Sequence, residues 1–207
     1  MLTDWKMVSR RSVGCVAARF LFLGFMFSSL AAVPDARAGD ERSDIGPAVG
    51  TALGGMLTLA DQNGATRDFA SLTGQRGLIL VFNRSLSWCP FCIADAREWS
   101  MLAESTKAKA VNIAIVTYDE VDTLAGFAKR FDTRIALLSD KGSALIKALG
   151  ILNEEHAPGS FAHGVPHPMV FVIDAKGVLR ARFSETNYSH RPDKRKVLSE
   201  ALALGGS

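Results

Sequence analysis

Two cysteines three residues apart, in Trp88-Cys89-Pro90-Phe91-Cys92, are the residues of this chain best suited to do chemistry. A sulfur pair at this spacing can cycle between dithiol and disulfide. The apolar run Gly77–Phe82 precedes the pair, and a long segment of good helix formers follows it. A strand that delivers Cys-x-x-Cys onto a helix N-terminus places the first sulfur at the positive end of the helix dipole, beside unpaired backbone N–H groups. Both favour thiolate over thiol. An ordinary cysteine has a pKa of about 8.5, and in such motifs the value falls to about 7 or lower, a shift worth roughly 2 kcal/mol. The other reading of an even cysteine pair is a structural staple, but closing so short a loop removes little chain entropy.

The elements that must position the pair begin well inside the chain. Lys6, Arg10 and Arg11 form a basic start, Phe20 to Val33 is an apolar run too short to span a bilayer comfortably, and Ala36-Arg37-Ala38 offers a small-residue cleavage site. This order predicts an export signal over 1–38, with an uncleaved membrane anchor as the alternative. Ser9-Arg10-Arg11 leaves Sec and twin-arginine export both open. Cys15 would leave with the signal. The chain of 207 residues carries 24 basic and 21 acidic side chains. Removing five basic and two acidic residues with the signal leaves 19 of each, a charge near zero that argues against nucleic acid as a partner.

Residues 39–55, rich in Gly, Asp and Ala, read as a tether, and 56–204 as one domain. Asp61-Gln62-Asn63-Gly64 is a hairpin turn between a strand over 56–59 and one over 66–69. Ala70 to Gly74 is a short turn or helix. Gly77–Phe82, Val111–Thr117 and Met169–Ile173 are continuous apolar runs, as for strands buried on both faces. Ile135–Leu138 is a short strand. Val178–Phe183 alternates, with Leu179, Ala181 and Phe183 on one face. Helices are predicted over Cys89–Lys109, Val121–Phe131, Ser143–Leu149 and Pro192–Leu204, the last started by Pro192. Asn153 to His163 is a polar loop. The order describes an α/β chain with a mixed central sheet, parallel middle strands, an N-terminal hairpin and helices on both faces.

At this point the chain resembles a thioredoxin-fold redoxin of the alkyl hydroperoxide reductase/thiol-specific antioxidant superfamily. Its active-site pattern is similar to exported TlpA-type thiol–disulfide oxidoreductases. Three segments carry the likeness: Leu80 to Ser85 running into Trp88–Cys92; Leu138-Ser139-Asp140-Lys141-Gly142 with Ala148–Ile151; and Pro166 to Asp174 followed by Gly177. The resemblance implies a thioredoxin-like three-layer fold, with Cys89 the attacking and Cys92 the resolving cysteine. It implies no cofactor beyond the Cys89–Cys92 disulfide, a monomer, and partners that are protein thiols or disulfides and an electron donor or acceptor. Localisation would be periplasmic or otherwise outside the cytoplasm. Cys89 is expected to be partly exposed and Cys92 more buried. The family places a cis-proline before a central strand. Pro168 is the better match and Pro166 the runner-up, which leaves the backbone of His167 facing the active site, ready to pair with an extended substrate.

Departures from the pattern bear on mechanism. Thioredoxins carry a buried Asp six residues before the first Cys, where this chain has Asn83, which cannot act as a base. Peroxiredoxins carry Thr or Ser three residues before the peroxidatic Cys, where this chain has Leu86, and their peroxide-orienting Arg falls about where Pro168 stands. Arg84 and Ser85 lie close by at the wrong spacing. A thiol–disulfide oxidoreductase is therefore expected first and a peroxiredoxin-like thiol peroxidase second. A Sco-type Cu(I) chaperone comes third, since His156, His163 and His167 accompany the cysteines but the spacing is not Cys-x-x-x-Cys. Pro90 starts the helix and tunes the couple, Trp88 is a lid beside the cysteines and Trp99 is core. His167 is a tuner of the thiolate or a substrate contact. His190 and Arg191 are expected to be cap and surface residues.

Overall fold

Seven strands form one mixed sheet in the order β2-β1-β5-β4-β3-β6-β7. The computed structural model describes residues 45–185 and 187–205, so the segment read as an export signal (1–38) and the start of the tether (39–44) lie outside the described residues. At the centre, β3 (Gly77–Phe82) is parallel to β4 (Val111–Thr117), and β4 to β5 (Ala136–Ser139). β6 (Met169–Asp174) pairs antiparallel with β3, and β7 (Leu179–Ser184) antiparallel with β6. The hairpin of β1 (Thr58–Asp61) and β2 (Thr66–Asp68) closes the other edge through β5.

Every residue of β3 and β6 is buried, because helices cover both faces. The two-residue period divides β3 between two cores. Ile79 and Val81 pack with residues of α2 (Pro90–Lys107), α3 (Val121–Phe131) and α5 (Lys194–Ala203), among them Trp99, Phe127 and Val197. Leu78, Leu80 and Phe82 face the opposite way, onto Phe171 and onto Leu72 of α1 (Phe69–Leu72) and Ile146 of α4 (Ala144–Ala148). Trp99 is core, as its position suggested.

Three sequence expectations need correction. The stretch 45–55 is no free tether: Leu53 is buried, Leu53 N–H donates to Gly177 O, Ala52 bridges Val178, and Arg182 Nη1 donates to the carbonyls of Ile45, Gly46 and Pro47. Gly177 (φ +80°) permits this packing, since a Cβ there would stand 2.9 Å from Gly54 Cα. Leu179 does not share a face with Ala181 and Phe183. A bulge between Val172 and Ile173 pairs Leu179 with Ile173 and Ala181 with Val172, which sends Leu179 to the α1/α4 side and the other two to the α2 side. Pro192 does not start α5. Asp193 caps it, accepting from Arg195 N–H, and Pro192 is buried one residue earlier.

Candidate active site

β3 ends at Phe82, and the chain reaches α2 through residues 83–89. Cys89 is the N-cap of α2, with extended backbone, and its Sγ accepts the Cys92 N–H at 3.3 Å. Pro90 follows at the first helical position, where a missing N–H leaves nothing unsatisfied. Cys89 and Cys92 form a disulfide, Cα to Cα 5.2 Å. The sulfur read as nucleophile therefore stands at the helix terminus, facing a backbone donor.

The 83–89 connection is pinned by a buried carboxylate that the sequence did not single out. Asp119, just past β4, accepts from Ser85 Oγ at 2.7 Å, Leu86 N–H at 2.7 Å and Thr117 Oγ1 at 3.0 Å. Burial pushes the Asp119 pKa up, and these three donors pull the other way without cancelling it.

Cys89 is less accessible than expected, at 2% exposed, with Cys92 at 0%. In the disulfide form both belong to the same packed core as Leu86, with Trp88 against it. Trp88 is held rather than free. Its Nε1–H donates to Tyr118 Oη at 3.0 Å, that hydroxyl donates to Phe161 O at 2.6 Å, and the Phe161 ring meets Trp88 edge-on at 4.9 Å. Burial raises the Tyr118 pKa, which keeps this hydroxyl a donor. The Arg84 guanidinium lies between the Trp88 and Tyr188 rings, 4.9 and 4.6 Å from their centroids, and 3.4 Å from His156 Nε2. Phe91, Phe161 and Tyr188 leave the motif with an exposed aromatic rim.

Behind the disulfide lies a charged cluster. Asn83 is fully buried, and its Nδ2 donates to Asp95 Oδ2 at 3.1 Å. Asp95, on α2 one turn past Cys92, receives Lys194 Nζ at 2.6 Å on Oδ1, with Arg191 Nε 3.8 Å from Oδ2. Arg191 Nη2 donates to Cys92 Sγ at 3.2 Å. Arg191 was expected on the surface, yet its side chain is only 12% exposed. Burial lowers its pKa, the Asp95 carboxylate raises it and the nearby Arg84 lowers it. Asn83 thus occupies the position where a base would be expected, and the carboxylate comes from the helix instead. A charged residue within the buried stripe Cys92, Asp95, Ala96, Trp99 is also why α2 shows no clean apolar face in the sequence.

The late prolines come just before β6. Pro166 and Pro168 are both buried, and Pro168 directly precedes Met169, the β6 residue paired with Phe82 at the end of β3. The His167 N–H donates to Ile151 O at 2.8 Å, so the donor expected to meet substrate is paired within the chain. His167 itself lines a cavity of about 540 Å³ with Ile45, Lys147, Leu152, Asn153 and Glu155. His163 Nδ1 contacts His156 O at 3.0 Å. Among the described residues no group of three or more His, Cys, Asp and Glu side chains is placed to hold a metal ion.

A family model described as AhpC/TSA family matches residues 55–182. Among curated proteins the chain is 25% identical over 148 residues to chloroplastic peroxiredoxin Q of Populus jackii, covering 72% of this chain and 63% of that protein. It is 28% identical over 92 residues to thiol-disulfide oxidoreductase ResA of Bacillus thuringiensis subsp. konkukian (strain 97-27), covering 44% of this chain and 46% of ResA. The matched stretch thus spans less than two thirds of either relative. A solved structure of Xanthomonas campestris peroxiredoxin Q superposes with a TM-score of 0.61 at 18% identity, over 76% of this chain and 96% of that one, a likeness of fold.

Proposed function

This chain belongs to the AhpC/TSA family, and from that premise we propose that Cys89 and Cys92 exchange electrons with protein thiols and disulfides outside the cytoplasm. The observation that carries the reading is Cys89 as N-cap of α2, its sulfur bonded to the Cys92 N–H and joined to Cys92 in a disulfide. In the reduced protein, Cys89 thiolate attacks a substrate disulfide and expels one substrate sulfur as thiolate. Cys92, having lost its proton, then attacks Cys89 Sγ, which releases the second substrate thiolate and closes the Cys89–Cys92 bond. The reverse steps oxidise a substrate dithiol. Two electrons move in either direction, and no cofactor takes part. Export rests on the basic, apolar and Ala-x-Ala order of residues 1–38.

The test is reduction of insulin disulfides by dithiothreitol. Wild type accelerates it, Cys89→Ser does not, and Cys92→Ser accumulates mixed disulfides. Equal rates for wild type and Cys89→Ser overturn the reading. The 25% identity to a peroxiredoxin Q favours a second reading, a thiol peroxidase. Against it, the position three before Cys89 is Leu86, buried and without a hydroxyl, and Pro168 stands before β6. Peroxide consumption coupled to a dithiol donor, faster than insulin reduction and lost in Cys89→Ser, would replace the first reading with the second.

A further inference from the structure

We propose that Arg191 is the counter-charge for the sulfur that leaves when the Cys89–Cys92 disulfide is opened, and that it makes this pair a better acceptor of electrons from thiols. The proposal rests on the thiol–disulfide reading above and names the residue that biases its direction.

The argument is geometric. When a substrate thiolate attacks Cys89 Sγ, a bond forms between the two sulfurs, the Cys89–Cys92 bond breaks, and its electron pair leaves on Cys92 Sγ. A second substrate thiolate then attacks the substrate sulfur of the mixed disulfide, forming the substrate disulfide and releasing Cys89 as thiolate. Two electrons have passed to the protein. The first step creates a negative charge on a sulfur with 0% exposure, where burial alone disfavours a thiolate. Arg191 Nη2 already stands 3.2 Å from that sulfur. An arginine there keeps its proton and donates a charge-assisted hydrogen bond that is stronger to a thiolate than to a neutral sulfur.

The surrounding charges leave Arg191 free to serve the sulfur. Facing the cluster are the cations Arg84, Arg191 and Lys194 and the anions Asp95 and Glu98. Asp95, with its side chain 2% exposed, is held closely by Lys194 and Asn83, and its nearest approach to Arg191 Nε is 3.8 Å. Glu98 is 55% exposed and meets Lys194, not Arg191. Asp193, the other acid near the turn into α5, pairs with Arg195, and His190 is exposed. One positive charge is thus left over until Cys92 ionises. Arg191 Nη1 also donates to Tyr188 O and His190 O, which fixes the guanidinium in place.

Two measurements test this on the full chain carrying Cys15→Ser, so that Cys89 and Cys92 are its remaining cysteines. In Cys89→Ser protein, the 240 nm absorbance of Cys92 is titrated with Arg191 intact and with Arg191→Gln or Arg191→Lys. In otherwise wild-type protein, the disulfide is equilibrated with glutathione for the same three forms. With Arg191 intact, Cys92 is expected to ionise below the ordinary value of about 8.5. Arg191→Gln is expected to raise it by about one unit and, in glutathione buffers at a pH above both values, to make the disulfide about tenfold harder to reduce, a shift of about 30 mV. Arg191→Lys, which keeps the charge, is expected to retain most of both effects, as a purely structural role would not. Cys92 ionising above 8.5 with Arg191 intact, or Arg191→Gln moving neither quantity, overturns the proposal. Should Arg191→Gln fail to fold, the Cys89→Ser titration decides alone. Neither readout depends on a protein substrate, so loss of insulin reduction sinks the proposed function without touching this result, and unmoved titrations beside active insulin reduction sink only this proposal.

Discussion

Lys194→Met removes the cation held closest to the buried Asp95 carboxylate. Lys194 Nζ lies 2.6 Å from Asp95 Oδ1, 2.8 Å from Glu98 Oε2, and 5.1 Å from the centre of the Trp99 ring. Glu98 is 55% exposed and water replaces its lost partner, so the penalty falls on Asp95 at 2%. Removing one side of a buried pair costs about 3–5 kcal/mol. Lys194 is itself 16% exposed, and Asn83 and Arg191 remain beside the carboxylate, which puts the cost at the low end, about 3 kcal/mol. For a domain of this size that is a fall in Tm of about 6–12 °C. The assay is urea unfolding of the oxidised protein at neutral pH for wild type, Lys194→Met, Asp95→Asn and the double variant. Lys194→Met strands the buried Asp95 carboxylate, whereas Asp95→Asn leaves Lys194 its Glu98 partner; the stranding penalty vanishes when both are changed, so the double variant is expected to cost about 2 kcal/mol less than the sum of the singles. Additivity within about 0.5 kcal/mol would refute the assignment of Asp95 and Lys194 as an interacting buried pair.

Tyr118→Phe removes the hydroxyl that joins Trp88 Nε1 to Phe161 O. It is expected to raise the rate at which a small thiol reduces the disulfide several-fold, measured by stopped-flow; an unchanged or slower rate contradicts the brace. Asp119 and Asp174 are expected to respond oppositely to pH. The raised pKa of Asp119 means that wild type loses stability as pH rises from about 3.8 through the folded value, so Asp119→Asn gains on wild type across that window. At Asp174 burial works against the Val178 and Lys176 N–H groups and Arg180, which win and lower the pKa. Its contribution is present above about 3.8 and lost as pH falls below it, so wild type and Asp174→Asn converge in acid. Unfolding curves across pH that stay parallel to wild type contradict each. Gly177→Ala is expected to cost about 1–3 kcal/mol in chemical denaturation, from a positive φ and a Cβ 2.9 Å from Gly54 Cα. A neutral result would remove the reason given for the packing of the 45–55 stretch against Gly177.

Local pattern made much of the fold readable in advance. β3, β4 and α3 begin and end where the apolar runs and the helical spacing of Leu124, Phe127 and Phe131 put them, because those signals arise between neighbours along the chain. The place of Cys89 at the start of α2 was equally readable, since strand, cysteines and Pro90 are contiguous. The bulge opposite Leu179 was not, since it depends on how β7 lies against β6.

The chain alone therefore determined that two sulfurs meet at a helix N-terminus between buried parallel strands: every residue needed lies within one short segment, and helix geometry does the rest. What surrounds those sulfurs was decided only in three dimensions. Lys194 and Asp95, like Arg191 and Cys92, are 99 residues apart in sequence, and Asp119 reaches the cysteine loop across 33. Arg191 reads as an ordinary surface cation until the segment leading into α5 closes on α2 and removes its side chain from water. A charge acquires its role from the dielectric and partners around it, and those exist only once distant segments have closed on one another.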